Sequence, residues 1–223
     1  MRGLAAGDKN GGPAALATLL CVELDRAGFS EDGVFGAYYR WVTTEGFDTG
    51  PTLKRVCFYV QGGCSISEAV EQTHWDLSEK TAGVGPAHRA APLALLYRGA
   101  VLDDAARREA RLSHHSPIAA ETSVVTVRLC AHLLDGIPLE PAMTLAVEGI
   151  DSVSLAHLPL SQRHRGGYGP GVLQAAVSFL TESASLQQAL AASLQFAGPA
   201  NYCPVLVGSI GACAFADEEI IDG

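Results

Sequence analysis

The chain has 223 residues, nearly half of them apolar (48%), which is enough to close one sizeable core as a single domain over residues 1–223. A formal net charge of −9 excludes nonspecific capture of a nucleic-acid backbone, so DNA and RNA are not expected as partners. No stretch approaches the roughly 20 uninterrupted apolar residues that span a bilayer, and no apolar signal-peptide run follows Met1 and Arg2, so the expectation is a cytoplasmic protein with no membrane partner.

In chain order, residues 14–27 are rich in Ala and Leu and stop at Gly28, the pattern of an amphipathic helix with a C-terminal glycine. Ser30 ahead of Glu31 and Asp32 starts the next helix, whose Val34, Phe35, Tyr38, Tyr39 and Val42 recur at helical spacing until Gly46. Pro51 opens a third helix that ends at Gly62 and Gly63, and Ser65 with Glu68 forms a capping box for a short fourth. Residues 81–89 hold Gly83, Gly85 and Pro86, too many breakers for regular structure, so a loop is expected there with a helix resuming over 90–97. Ser116 and Pro117 start the longest helix, which Gly136 ends; its length and end signals outweigh the β-branched run at 124–127. Residues 166–171 contain four glycines, a proline and Tyr168, so they read as an interhelical loop. Ser185 with Gln188 reads as a second capping box, and a last helix is expected over 204–216, where Gly208, Ser209, Gly211 and Ala212 allow a helix or ligand to come close. The six cysteines form no CxxC pair and sit among apolar neighbours, which suits reduced thiols.

Several ordered segments resemble the ADP-ribosylglycohydrolases, which cleave the glycosidic bond between ADP-ribose and a side chain or small molecule. TAGVGPAHRAAPLAL at 81–95 resembles the family's diphosphate-wrapping glycine loop, which runs through a basic residue into an apolar helix. LSHHSPIA at 112–119 is similar to its Leu-Thr-His segment, and DTGPT at 48–52 to its Asp-Ile-Gly-Asn-Thr. The long helix that follows and the tail from 185 to 216 extend the likeness over nearly the whole chain. The resemblance implies an all-α, compact orthogonal multi-helix bundle.

Two motifs depart from the family's pattern. Its members usually carry a Thr-Asp-Asp-Thr run before the first core helix and an Asp-x-Asp-Thr run before the last, together holding two magnesium or manganese ions. Here GDKNGGP stands at 7–13 and GPANYC at 198–203, so Pro199, Asn201 and Tyr202 occupy the positions of Asp, Asp and Thr. Two hard cations need several anionic oxygens, so Asp8 and Asp48 with neutral amides are expected to hold one magnesium ion weakly or none. Lys9 substitutes for the lost positive charge if it points inward. An N-terminal helix common in the family is expected to be missing, because Asp8 stands so near Met1.

Cleavage at a ribose C1 passes through an oxocarbenium-like state, which needs a carboxylate to orient water or stabilise charge and donors to fix the sugar hydroxyls. Asp8, Asp48 and Asn10 are the catalytic candidates; the alternative roles are capping before Pro13 for Asp8 and Asn10, and capping of the helix near Pro51 for Asp48. Gly83, Val84 and Gly85 offer backbone N–H groups to an anion, with His88 or Arg89 adding charge. His114 is preferred over His115 as a pocket residue, and Asn201 and Tyr202 complete the binding set. His132 and His157 are expected to pack or cap, the basic loop around His164 to be solvated or to meet an anion, and Tyr168 to be an exposed loop residue that could stack on a base. The expected function is hydrolysis of a ribosyl N-glycosidic bond, ADP-ribosyl or ribosyl-phosphate, in a small-molecule or NAD-derived substrate. The alternative is a catalytically silent ADP-ribose- or nucleotide-binding module.

Overall fold

The computed structural model describes residues 1–151, 155 and 163–215. Among them the elements are helices: α1 (Arg2–Gly7), α2 (Gly12–Ala27), α3 (Glu31–Thr44), α4 (Pro51–Gln61), α5 (Ile66–Asp76), α6 (Gly85–Arg89), α7 (Leu93–Leu96), α8 (Gly99–Arg111), α9 (Pro117–Leu134), α10 (Leu139–Ala146), α11 (Gly169–Thr181), α12 (Leu186–Ala197) and α13 (Cys203–Ala214). The β-structure among these residues is one antiparallel bridge between Gly83 and Tyr168.

Helix α9 lies at the centre, in contact with α6, α7, α8, α10, α11 and α13. Its Val124, Val125, Val127 and Leu129 are fully buried, and so are Thr122, Ser123 and Thr126. The threonines are tolerated because their hydroxyls donate back along the helix, Thr122 to the Ile118 carbonyl at 2.7 Å and Thr126 to the Thr122 carbonyl at 2.8 Å. Burial on all sides is what lets a β-branched run stay helical: packing outweighs a propensity cost of only tenths of a kcal/mol per residue.

Capping follows the sequence closely in the first half of the chain. Gly28 ends α2 with φ 73°, Ser30 accepts the Gly33 N–H, and Ser65 and Glu68 form a reciprocal capping box on α5. At α12 the Ser185 hydroxyl accepts the Gln188 N–H, but the Gln188 side chain accepts from Ala184 instead of Ser185, so the second box is displaced by one residue.

Four expectations need correction. Residues 85–89 are helical, because Pro86 sits in the first turn of α6, where its missing N–H costs nothing. The apolar stretch at 90–97 contributes only the single turn α7, with Leu95 and Leu96 exposed. Gly169, Pro170 and Gly171 form the first turn of α11, so the glycine-rich loop is shorter than its composition suggests. A helix, α1, does stand ahead of Asp8. Helices α8 and α10 are additional to the expected elements; α8 buries Leu102, Ala105, Ala106 and Ala110 at helical spacing opposite a charged face. His157 lies outside the described residues, as does the end of the tail at Ala216. All six cysteines are free, and no described helix is long and apolar enough to cross a membrane.

The small residues of α13 receive a helix, α1. A methyl group on Gly208 would lie 2.0 Å from the Gly3 carbonyl oxygen, and one on Gly3 would lie 2.4 Å from that of Gly208. Gly208→Ala should therefore cost about 3 kcal/mol of stability and lower Tm by about 6–12 °C in a thermal melt. An unchanged Tm would mean that α1 does not cross α13 here.

Candidate functional site

A cavity of about 520 Å³ opens where five loops meet. Its wall takes Asn10 from the α1–α2 turn and Pro13 from the start of α2, residues 48–52 from the α3–α4 loop and the start of α4, Lys80, Gly83, Val84 and Gly85 at the entrance to α6, Gly167 ahead of α11, and residues 199–202 ahead of α13. His88, Arg89 and His114 close its inner side.

The first and last of these loops are locked together by Asp8. Its Oδ1 accepts the N–H groups of Asn10 at 3.2 Å and Gly11 at 2.9 Å, and its Oδ2 accepts that of Ala14 at 2.8 Å, capping α2. The Asn201 amide donates to the same Oδ1, while the Asn201 carbonyl oxygen accepts the Lys9 N–H at 3.0 Å. Asp8 is thus a capping residue outside the cavity wall, with both oxygens engaged. Lys9 does not point inward either: its ammonium donates to the carbonyls of Gly198 (2.8 Å) and Leu194 (3.4 Å) at the C-terminal end of α12.

Asp48 does line the cavity. It has φ 46°, left-handed backbone that few non-glycine residues adopt, in an α3–α4 loop packed against α2. That packing is close, since a methyl group on Gly12 would lie 2.3 Å from the Asp48 carbonyl oxygen. Loss of solvent raises the Asp48 carboxyl above the ordinary aspartate range and the charge of Asp8 raises it further, while hydrogen bonds from Asn10 and Asn201 pull it back. Asp8, Asp48, Asn10 and Asn201 are therefore brought together, but only one carboxylate faces the cavity.

The opposite wall rests on a buried ion pair. Arg89 Nε donates to Glu109 Oε1 at 2.5 Å, Tyr38 donates to the same oxygen at 3.0 Å, and the guanidinium lies 5.1 Å from the centre of the Tyr38 ring. Arg89 Nη2 also donates to Ser113 Oγ at 2.8 Å, and Ser113 Oγ is 2.8 Å from His114 Nδ1. Arg89 cannot accept, so the serine proton goes to His114 Nδ1, and the neutral ring carries its own proton on Nε2. Burial, then the nearby Arg89 charge, hold His114 neutral, pushed down to about 3. The glycines of the preceding loop make room for this ring: methyl groups on Gly83 and Gly85 would come within 3.3 and 3.2 Å of it. His88 donates its Nε2 proton to the Tyr202 carbonyl at 2.7 Å, and burial pushes its pKa down to about 4. The expectation that His88 or Arg89 brings charge to an anion is corrected accordingly: one ring is neutral, and the guanidinium charge is matched by Glu109.

The basic segment ahead of α11 is likewise occupied. Arg163 stacks on Phe179 at 3.9 Å and pairs with Glu182, and Arg165 stacks on Phe196 at 5.2 Å. These contacts hold the strand-like stretch through Gly167, whose carbonyl accepts the Val84 N–H at 3.0 Å. His164, His115 and Tyr168 are exposed and lie outside the cavity wall, whereas the Tyr202 ring packs over Gly167. Sequence reasoning passed over Lys80, Thr52 and Gly167, which do line the cavity. Lys80 could have been found as the cation just ahead of the glycine loop; Gly167 could not, since only the Gly83–Tyr168 bridge brings it here.

This donor set does not fit a two-ion centre. Asp8 lies outside the cavity wall with hydrogen bonds on both oxygens, both ends of the Asn201 amide are used, and among the described lining residues Asp48 alone carries a carboxylate. Among the described residues no group of three or more His, Cys, Asp or Glu is placed to hold a metal ion.

A family model described as ADP-ribosylglycohydrolase matches residues 11–219. A solved structure described as an "ADP-ribosylglycohydrolase-related protein complex" superposes with a TM-score of 0.74 at 26% identity, covering 91% of this chain and 70% of that one. No curated protein matches.

Because Arg89 and Glu109 are both buried, Glu109→Gln should cost about 3–5 kcal/mol in urea unfolding. Arg98→Gln, which breaks the exposed pair with Asp135, should cost under about 1 kcal/mol. Equal costs would contradict the role given to the buried pair.

Proposed function

For a chain that belongs to the ADP-ribosylglycohydrolase family, we propose hydrolysis of a ribosyl N-glycosidic bond in a small-molecule substrate, with Asp48 as the catalytic carboxylate and no metal ion required. The observation that carries this reading is the convergence on one cavity of a raised, accessible carboxylate, two amides that bond to it, and a glycine loop backed by a neutral histidine. Asp48 accepts a proton from water as the water oxygen bonds to C1; the C1–N bond breaks, its electron pair goes to the nitrogen, and the nitrogen takes up a proton from solvent. The negative charge of Asp48 also offsets positive charge developing on the sugar. Asn10 and Asn201 hold the carboxylate, Asn10 also serves the ribose diol, His114 donates from Nε2, and Asp8 acts as a positioning residue by fixing Asn201.

A second reading has its own support: with Asp8 outside the cavity wall and turned to backbone N–H groups, a single carboxylate lines the cavity where glycosidases generally use two. On that reading the cavity binds ADP-ribose or a nucleotide without cleaving it.

The test is turnover of ADP-ribosyl-arginine, ADP-ribosyl-serine, NAD-derived nucleosides and their monophosphates, with and without EDTA. At least one should be hydrolysed with EDTA making no difference, and Asp48→Asn should lower kcat by about 10²–10⁴-fold. A base must be ionised to act, so kcat/KM should fall as pH drops through a value above the ordinary aspartate pKa of about 3.9. No turnover of any substrate, with calorimetry still showing ADP-ribose binding, would sink the enzymatic reading in favour of the second.

A further inference from the structure

The acids that line the cavity narrow the leaving group, on the premise of the metal-free ribosyl reading above. Glycosidases generally divide their proton work between two carboxyl groups, and among the described lining residues Asp48 alone carries one. With Asp48 taking the proton of water, a leaving nitrogen that needs a proton must find another acid. The two lining histidines do not supply it: both are buried and neutral, His88 with Nε2 committed to the Tyr202 carbonyl and His114 with Nδ1 accepting from Ser113. The Arg89 guanidinium does not give up its proton, and an ammonium and a phenol, which Lys80 and Tyr202 bring to the wall, are weak acids at neutral pH. The cavity does offer a ring. Tyr202 lines it and is 40% exposed, and its ring lies against Gly167, on which a methyl group would come within 3.1 Å of it. The preceding residue, Asn201, bonds to Asp48, which sets this ring one residue away from a partner of the proposed base.

We infer that the cavity takes ribosides whose leaving group is a cationic aromatic ring, the N-ribosyl pyridinium compounds, with Tyr202 as the specificity-determining residue that seats the ring. In such a substrate the glycosidic nitrogen already carries the positive charge that an acid would otherwise have to install. As the water oxygen bonds to C1 and its proton passes to Asp48, the C1–N electron pair cancels the charge on the ring nitrogen. The pyridine departs neutral and takes up no proton, and Asp48 then releases its own to solvent. Other N-glycosides ask more of the wall. A purine departs as an anion unless it is protonated, and the guanidino group of an arginine departs as a strong base, so both need the acid that the lining lacks. The face of the Tyr202 ring attracts a pyridinium by the cation–π effect as well as by stacking. A single carboxylate is then sufficient for cleavage.

Steady-state hydrolysis by the full chain of three matched pairs tests this: nicotinamide riboside against inosine, their 5′-phosphates against each other, and NAD against ADP-ribosyl-arginine. In every pair that is cleaved, the pyridinium member should have a kcat/KM at least about 10²-fold above its counterpart, the lower end of what a general acid contributes. Tyr202→Ala should raise KM for the best pyridinium substrate about five- to tenfold with a smaller change in kcat, and Tyr202→Phe, which keeps a ring, should restore it. A counterpart cleaved as fast as its pyridinium partner, or an unchanged KM in Tyr202→Ala, overturns this inference while leaving the ribosyl reading in place. Hydrolysis of none of the six compounds overturns both.

Discussion

Taking a guanidinium and a carboxylate out of water costs several kcal/mol per ion unless each finds its partner and further hydrogen bonds, and Arg89 and Glu109 meet most of that condition. The pair joins α6 to α8, Tyr38 brings in α3, and Ser113 carries the network to His114. Glu109 Oε2 is the one oxygen of the pair left buried without a partner. Because the network fixes the protonation of His114 and the glycine loop rests on that ring, the inner wall of the cavity is set by a single buried charge pair. The same pair takes up the guanidinium charge that would otherwise face a ligand.

The outer wall is set by a different economy of polar groups. Asp8 and Asn201 lie 193 positions apart and are joined directly, tying the entrance of α2 to that of α13. An amide can do here what a bridging cation would do between two carboxylates: it neutralises no charge, but it donates to one side and accepts on the other. The consequence falls on Asp48: loss of solvent and then the like charge of Asp8 raise its carboxyl, and the two amides pull it only part of the way back. A raised, accessible carboxyl is suited to accepting a proton from water, and this links the amide of Asn201 to the proposed chemistry.

Much of the fold was legible because its signals are local. Ser30, Ser65 and Gly28 mark ends that depend on the nearest few residues, and they fall where the capping chemistry puts them. Helix α8 carries a readable signal, Leu102, Ala105, Ala106 and Ala110 at helical spacing opposite a charged face, and what it lacks is a side-chain cap to mark its start; α6 was hidden because Gly and Pro read as breakers when they are in fact a first turn. At the site, the grouping of Asp8, Asp48, Asn10 and Asn201 could be read from the family's pattern, but the direction of each side chain could not. Asp8 turns to three backbone N–H groups, Lys9 to the end of α12, and Arg89 to a glutamate that carries no motif. Those choices are made by long-range packing, which a motif does not encode.

The account turns on Asp48 being a raised carboxyl that works without a cation. Its titration, followed through the side-chain carboxyl ¹³C resonance with and without added magnesium, tests this most directly. A midpoint above the ordinary aspartate value of about 3.9, unmoved by magnesium, is the expected result. A midpoint at or below that value, or one that magnesium drives down, would show a carboxylate serving a metal and would contradict the account.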